Sequence, residues 1–194
     1  LLARLQVSSS GDELWKTVAD RPLESLVLSD ASRKALRDLF FFEPSPRVRR
    51  VIFLATPHDG ASPTIALASR LASRIVQRPA DTRHLVEEVE RNNPGAVRPE
   101  LRSLPSSVDA LAAYSPILPV VRRLPYSPLA RLHTIAGTGL HPADGGRGDL
   151  VVPLTSAHVD EAESEHHVRA THTTIYYHPD AIDEVRRILG VPRP

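Results

Sequence analysis

A chain of 194 residues with 41% hydrophobic side chains suits one domain with a real core. Its formal net charge of +1 supplies no field for nucleic acid or an anionic membrane surface, and the absence of cysteine excludes disulfides, thiolate catalysis and cysteine-ligated zinc. No apolar run reaches the ~18 residues of a membrane-spanning helix.

The chain opens on Leu1-Leu-Ala-Arg-Leu-Gln-Val7, which is helical in pattern, with Leu1, Leu2 and Leu5 on one face and no cap residue before them. With no methionine at position 1 either, the expectation is a chain that starts inside a helix of a longer protein. Ser8-Ser-Ser-Gly11 breaks this helix. Residues 13–19 suit a short helix in which Trp15 packs rather than binds. Residues 29–42 read as helical, with Ala31, Ala35, Leu36 and Leu39 at helical spacing. Phe40, Phe41 and Phe42 form an apolar knot, read as a core anchor, with a lipid-facing patch as the minor alternative.

Arg47-Val-Arg-Arg50 leads into residues 51–55, Val-Ile-Phe-Leu-Ala. This run is continuously apolar and β-branched at its start, as a parallel strand covered on both faces would be. Thr56-Pro57-His58-Asp59-Gly60 ends it, because proline cannot donate to a ladder and glycine permits a turn. Residues 62–129 then read as helical and punctuated by proline, including a segment at 81–91 with Leu85, Val86 and Val89 inward. Nearly seventy residues between two strands exceed a plain connector, so a helical cap insertion over a site is expected there.

The run 132–136 is rich in β-formers and stopped by Gly137, as a buried strand would be. A glycine-rich loop follows, then Gly148-Asp149-Leu-Val-Val-Pro153 and a histidine-rich segment with a short strand-like stretch at 167–169. The final helix is the best signalled. Pro179 stands at its first position, Asp180, Asp183 and Glu184 in its first turns, Arg186 and Arg187 near its end, and Gly190 stops it. Ile182, Val185, Ile188 and Leu189 are its expected buried face.

The chemistry concentrates in residues 131–172. A carboxylate on a loop just after a strand, followed about twenty residues later by a histidine on another loop, is the acid–base half of a Ser-His-Asp hydrolase. Asp149 is the chosen carboxylate, with Asp144 as its rival. His172 is the chosen base, with His166, His167 and His178 as the neighbours to exclude. His178 fits the start of the last helix and His58 a structural loop role. Nine histidines invite a metal reading, but His141, Asp144, His158, His166, His167 and His172 show no metal-type spacing, so neither a metal nor a cofactor is expected. Ser62 is the one visible serine in a site-like context, and it lacks a strained elbow.

Phe42 through His58, Pro105-Ser-Ser-Val-Asp109 with Ser115-Pro116, Gly148-Asp149-Leu-Val-Val-Pro153 with Ser156-Ala157-His158, and His172 with His178-Pro179 together resemble bacterial α/β-hydrolases. They are most similar, in that order, to the lipase- and esterase-like branch related to GPI-inositol deacylases. The resemblance implies the C-terminal part of an α/β-hydrolase fold: its last three parallel strands, flanking helices and a helical cap, with residues 1–194 as a partial domain. It implies a serine ester hydrolase acting on lipid or other acyl esters through an acyl-enzyme, with Asp149 and His172 as catalytic residues. The nucleophile motif Gly-x-Ser-x-Gly occurs nowhere in this chain, so the serine is expected just before Leu1 and the chain by itself is expected to be inactive. Asp59-Gly60-Ala61 stands where that family usually has Arg-Gly-Ser. The competing expectation is a degenerate hydrolase-fold binding module.

Overall fold

The structure is a computed structural model that describes residues 2–60, 80–98, 117–139 and 146–192. Three parallel strands, β1 (Arg50–Leu54), β2 (Arg131–Gly137) and β3 (Ser164–Val168), form a sheet in the order β1-β2-β3. The register pairs Arg50 with Arg131 and Leu54 with Ile135, then His133 with Ser164 and Gly137 with Val168. Seven α-helices accompany the sheet among the described residues: α1 (Leu2–Leu5), α2 (Glu13–Val18), α3 (Asp30–Phe40), α4 (Ala80–Asn92), α5 (Leu118–Arg123), α6 (Leu154–Ala157) and α7 (Pro179–Leu189). The architecture is therefore a mixed α/β arrangement around a parallel sheet.

Side chains alternate across a strand, so the two faces of this sheet carry different cores. On one face Ile52, Leu54 and Ile135 meet Ile175 and Ala181. On the other, Val51, Phe53 and Leu132 meet Val7 and Val159. β2 is buried from Leu132 to Gly137, as the central strand must be. β1 alternates instead: Val51 and Phe53 are buried, whereas Ile52 and Leu54 are half-buried. Expected cover on both faces is thus only partial, because β1 is a sheet edge among the described residues. A separate helical core gathers Leu14, Trp15, Val18, Leu36, Phe40 and Val89. Trp15 meets Phe40 edge-on with ring centroids 5.4 Å apart, and Phe41 and Phe42 pack against the same cluster, so the aromatic knot is a core anchor.

Two helices turn differently from their expected faces. α3 buries Leu36 and Phe40, and Leu39 is 52% exposed. Ser29 fixes this phase by capping the helix, its hydroxyl accepting from Ser32 N at 3.3 Å. α7 buries Ala181, Glu184 and Ile188, with Val185 packed beside them, while Ile182 is 39% and Leu189 52% exposed. Glu184 enters the buried stripe because Arg187 donates two hydrogen bonds to its carboxylate, each 2.7 Å long. The ends of α7 match the sequence: His178 caps it, accepting from Asp180 N, and Gly190 closes it in the left-handed region at φ 70°.

Of the expected cap, α4 and α5 lie inside the described residues and are helical, with Val89 buried and Leu85 and Val86 half-buried. The remaining cap calls, including those on Ser62, Pro105 to Asp109 and Ser115-Pro116, lie outside the described residues.

Candidate active site

Parallel strands present the loops after their carboxyl ends on one edge of the sheet, where ligands of open α/β sheets bind. Asp149 belongs to the connection after β2, and His172 follows β3, so neighbouring strands deliver them to the same edge.

Asp149 is locked by its own loop. Gly148 and Pro153 form an isolated antiparallel bridge, and Asp149 N donates to Val152 O at 3.3 Å. The carboxylate Oδ1 accepts from Val151 N at 2.9 Å and Val152 N at 2.6 Å. Leu150 pays the conformational cost of this turn with φ at 81°, unusual for a branched side chain. The residue is 1% exposed, so its charge depends on these donors for stabilisation. Its remaining oxygen, Oδ2, lies 2.9 Å from His172 Nδ1. His172 N donates to Asp149 O, also at 2.9 Å, so both backbone and side chain join the two loops.

Two glycines make room for this. A Cβ on Gly137 would sit 2.5 Å from Asp149 Cβ and 3.0 Å from Ala170 O. A Cβ on Gly148 would sit 2.4 Å from Val152 O. Neither close approach tolerates a side chain.

An ionised carboxylate only accepts, so Nδ1 of His172 carries the proton and Nε2 presents a lone pair. The ring is 28% exposed, its Nε2 has no hydrogen-bond partner among the described residues, and Tyr176 stands edge-on to it at 6.3 Å. The arrangement can take a proton at Nε2, hold the resulting imidazolium against Asp149 and return the proton.

The other candidates lie elsewhere. His167 Nε2 is 2.6 Å from Glu165 on the exposed side of β3, His166 is half-buried on β3, and His178 caps α7. His58 is 5% exposed, edge-on to Phe53, and its Nδ1 is 3.4 Å from Arg4 Nη1. Burial, and then the Arg4 charge, lower its pKa from the ordinary histidine value to about 3, which suits a neutral structural ring. Asp144, His141 and Ser62 lie outside the described residues. Among the described residues, no group of three histidines or carboxylates is arranged to hold a metal ion.

A second layer has no signature in the sequence. Ser156, on α6, donates to Gly60 O at 2.7 Å and accepts from Asp59 N at 3.0 Å, while its carbonyl accepts from His58 N at 2.8 Å. It thereby straps the loop after β1 to the helix that follows the Asp149 loop. Asp59 also pairs with Arg122 of α5. Buried Arg4 donates to the carbonyls of Val121 and Arg122, tying α1 to α5.

Comparison with protein-family models, with curated proteins and with solved structures returned no match, so the functional reading rests on geometry.

Proposed function

We propose that this chain carries the acid–base half of a serine ester hydrolase of the α/β-hydrolase type, acting on lipid or other acyl esters. The observation that carries this reading is the 2.9 Å hydrogen bond between a fully buried Asp149 carboxylate and Nδ1 of a part-exposed His172. The order of parts supports it too: adjacent parallel strands, a carboxylate after one and a histidine after the next, in the chain order aspartate then histidine.

In this reading His172 Nε2 removes the proton of a serine hydroxyl as the oxygen attacks the ester carbonyl. The imidazolium then gives that proton to the departing alcohol, leaving an acyl-enzyme. A water molecule repeats the sequence, releasing the acid and regenerating serine. Among the described residues no hydroxyl is hydrogen-bonded to His172 Nε2, and Gly-x-Ser-x-Gly occurs nowhere in the sequence, so this reading takes its nucleophile from a segment preceding Leu1. The same observation favours, as the second reading, a hydrolase-like binding module that lacks the serine.

A fluorophosphonate probe, which phosphonylates activated serines, separates the two. The protein that includes the segment preceding Leu1 should be labelled on one serine there, and labelling should be lost in His172→Ala. Failure of that protein to react would reject the hydrolase reading and leave the binding module.

A further inference from the structure

The amino ends of the strands, at the sheet edge opposite His172, hold a second cluster. Arg50 opens β1, Arg131 opens β2, and the register sets them side by side. His133 lies two residues beyond Arg131 and therefore on the same face, paired in register with Ser164 of β3. The last turn of α7 covers this face and brings Arg187 Nη2 to 3.4 Å from Ser164 Oγ. Between strands and helix lies a cavity of about 340 Å³ whose polar lining is Arg50, Arg131, His133, Glu163 and Arg187.

Three guanidinium groups face one lining carboxylate. Glu163 lies 3.6 Å from Arg131, and Glu184, from the buried stripe of α7, neutralises Arg187. Arg50 forms no ion pair among the described residues, nor do Arg47 and Arg49 just before it. The positive charge left over is thus on the cavity wall and beside it, in a chain whose total is only +1. The last turn of α7 also lines the cavity, and Gly190 N there bonds back to Arg187 O, which quenches part of the negative end of the helix.

His133 adds an unpartnered ring nitrogen. It is 5% exposed, and its Nδ1 lies 2.9 Å from Ser164 Oγ. That oxygen also accepts from Arg187 at 3.4 Å. The other ring nitrogen, Nε2, is buried and without a partner. Burial, with Arg50 and Arg187 alongside, keeps this ring below the ordinary histidine range, although Glu163 and Glu184 act in the opposite direction. No phenylalanine, tyrosine or tryptophan lines the cavity, so it offers no platform for stacking a base.

We propose that this cavity is a binding site for a phosphate group, held by Arg50 and Arg131 on a wall that includes His133. Guanidinium forks match the oxygens of a tetrahedral anion two at a time. The cavity is larger than the anion, so it accommodates part of a small molecule that carries the phosphate. The site is independent of the catalytic assignment, since it lies at the other end of the strands.

The test is a titration of the chain with inorganic phosphate and, separately, methyl phosphate, at constant ionic strength, followed by the His133 ring resonances. Saturable shifts of those resonances are expected, and Arg50→Gln and Arg131→Gln should each weaken binding by about tenfold. Both variants change exposed side chains, so their melting in phosphate-free buffer should match the parent. Tighter binding of methyl phosphate assigns the site to an organic phosphate, and tighter binding of the inorganic ion assigns it to free phosphate. Shifts matched by chloride or acetate, or affinity unchanged in both variants, would overturn the proposal.

Discussion

Replacing Gly137 by alanine tests the geometry of the Asp149–His172 pair without touching either side chain. The new Cβ would lie 2.5 Å from Asp149 Cβ, where ordinary contact begins at 3.4 Å, so about 0.9 Å must be recovered. The opposite neighbour, Ala170 O at 3.0 Å, is backbone and gives little room. The loop that carries Asp149 therefore has to move, and a shift of that size is enough to break the 2.9 Å bond from His172. Overpacking of this kind costs about 1–3 kcal/mol, and a chain of this size loses about 2–4 °C of Tm per kcal/mol. Under the proposed function, a misplacement near 1 Å should lower kcat/KM by about a hundredfold. Thermal melting, and the proton resonance of His172 Nδ1 bound to Asp149, read the two effects separately. A Gly137→Ala protein with parental Tm and an unaltered resonance would refute the close packing argued here.

Four other outcomes follow from the packing. Leu36→Ala should cost about 2–5 kcal/mol in a denaturant titration, and Leu39→Ala less than about 0.5, because only the first is buried. Ser156→Ala should cost about 1–3 kcal/mol and speed amide exchange at Asp59, whose N–H loses its acceptor. His58 gives a pH signature. Its folded pKa is about 3, below the ordinary value of 6.5, so the unfolded chain takes up the proton first as pH falls. Stability present above about pH 6.5 should therefore decline towards pH 3 by up to about 1 kcal/mol per unit, and His58→Phe should flatten that part of a pH series of melts.

The sequence foretold elements where the signal was local. Gly137 stops β2, Pro179 and Gly190 bracket α7, and a glycine before Asp149 with Val-Val-Pro after it marks a tight loop. These features act through backbone geometry within a few residues, and the structure brings Asp149 and His172 into hydrogen-bond contact. What escaped depends on partners distant in the chain. The buried face of α7 was misjudged because Glu184 enters the core only with Arg187 attached. The phase of α3 slipped by one position, from Leu39 to Phe40, because apolar residues occur at both. β3 reads Ser-Glu-His-His-Val, weak in β-formers, and it is a strand because β2 templates it. Ser156 reaches across 96 residues to Gly60, and Arg4 across 117 to Val121, spans that carry no motif.

Among the described residues β1 is an edge strand with half-buried Ile52 and Leu54, an arrangement that invites strand pairing between chains. Under the proposed function the serine comes from the segment preceding Leu1. The most direct measurement is therefore ester turnover by the protein that includes that segment, with p-nitrophenyl butyrate as substrate, for the parent and for His172→Ala. The account predicts turnover by the parent and a loss of about a thousandfold or more in kcat for the variant, with its melting curve retained. Turnover that survives in His172→Ala would contradict it, as would a parent that shows none.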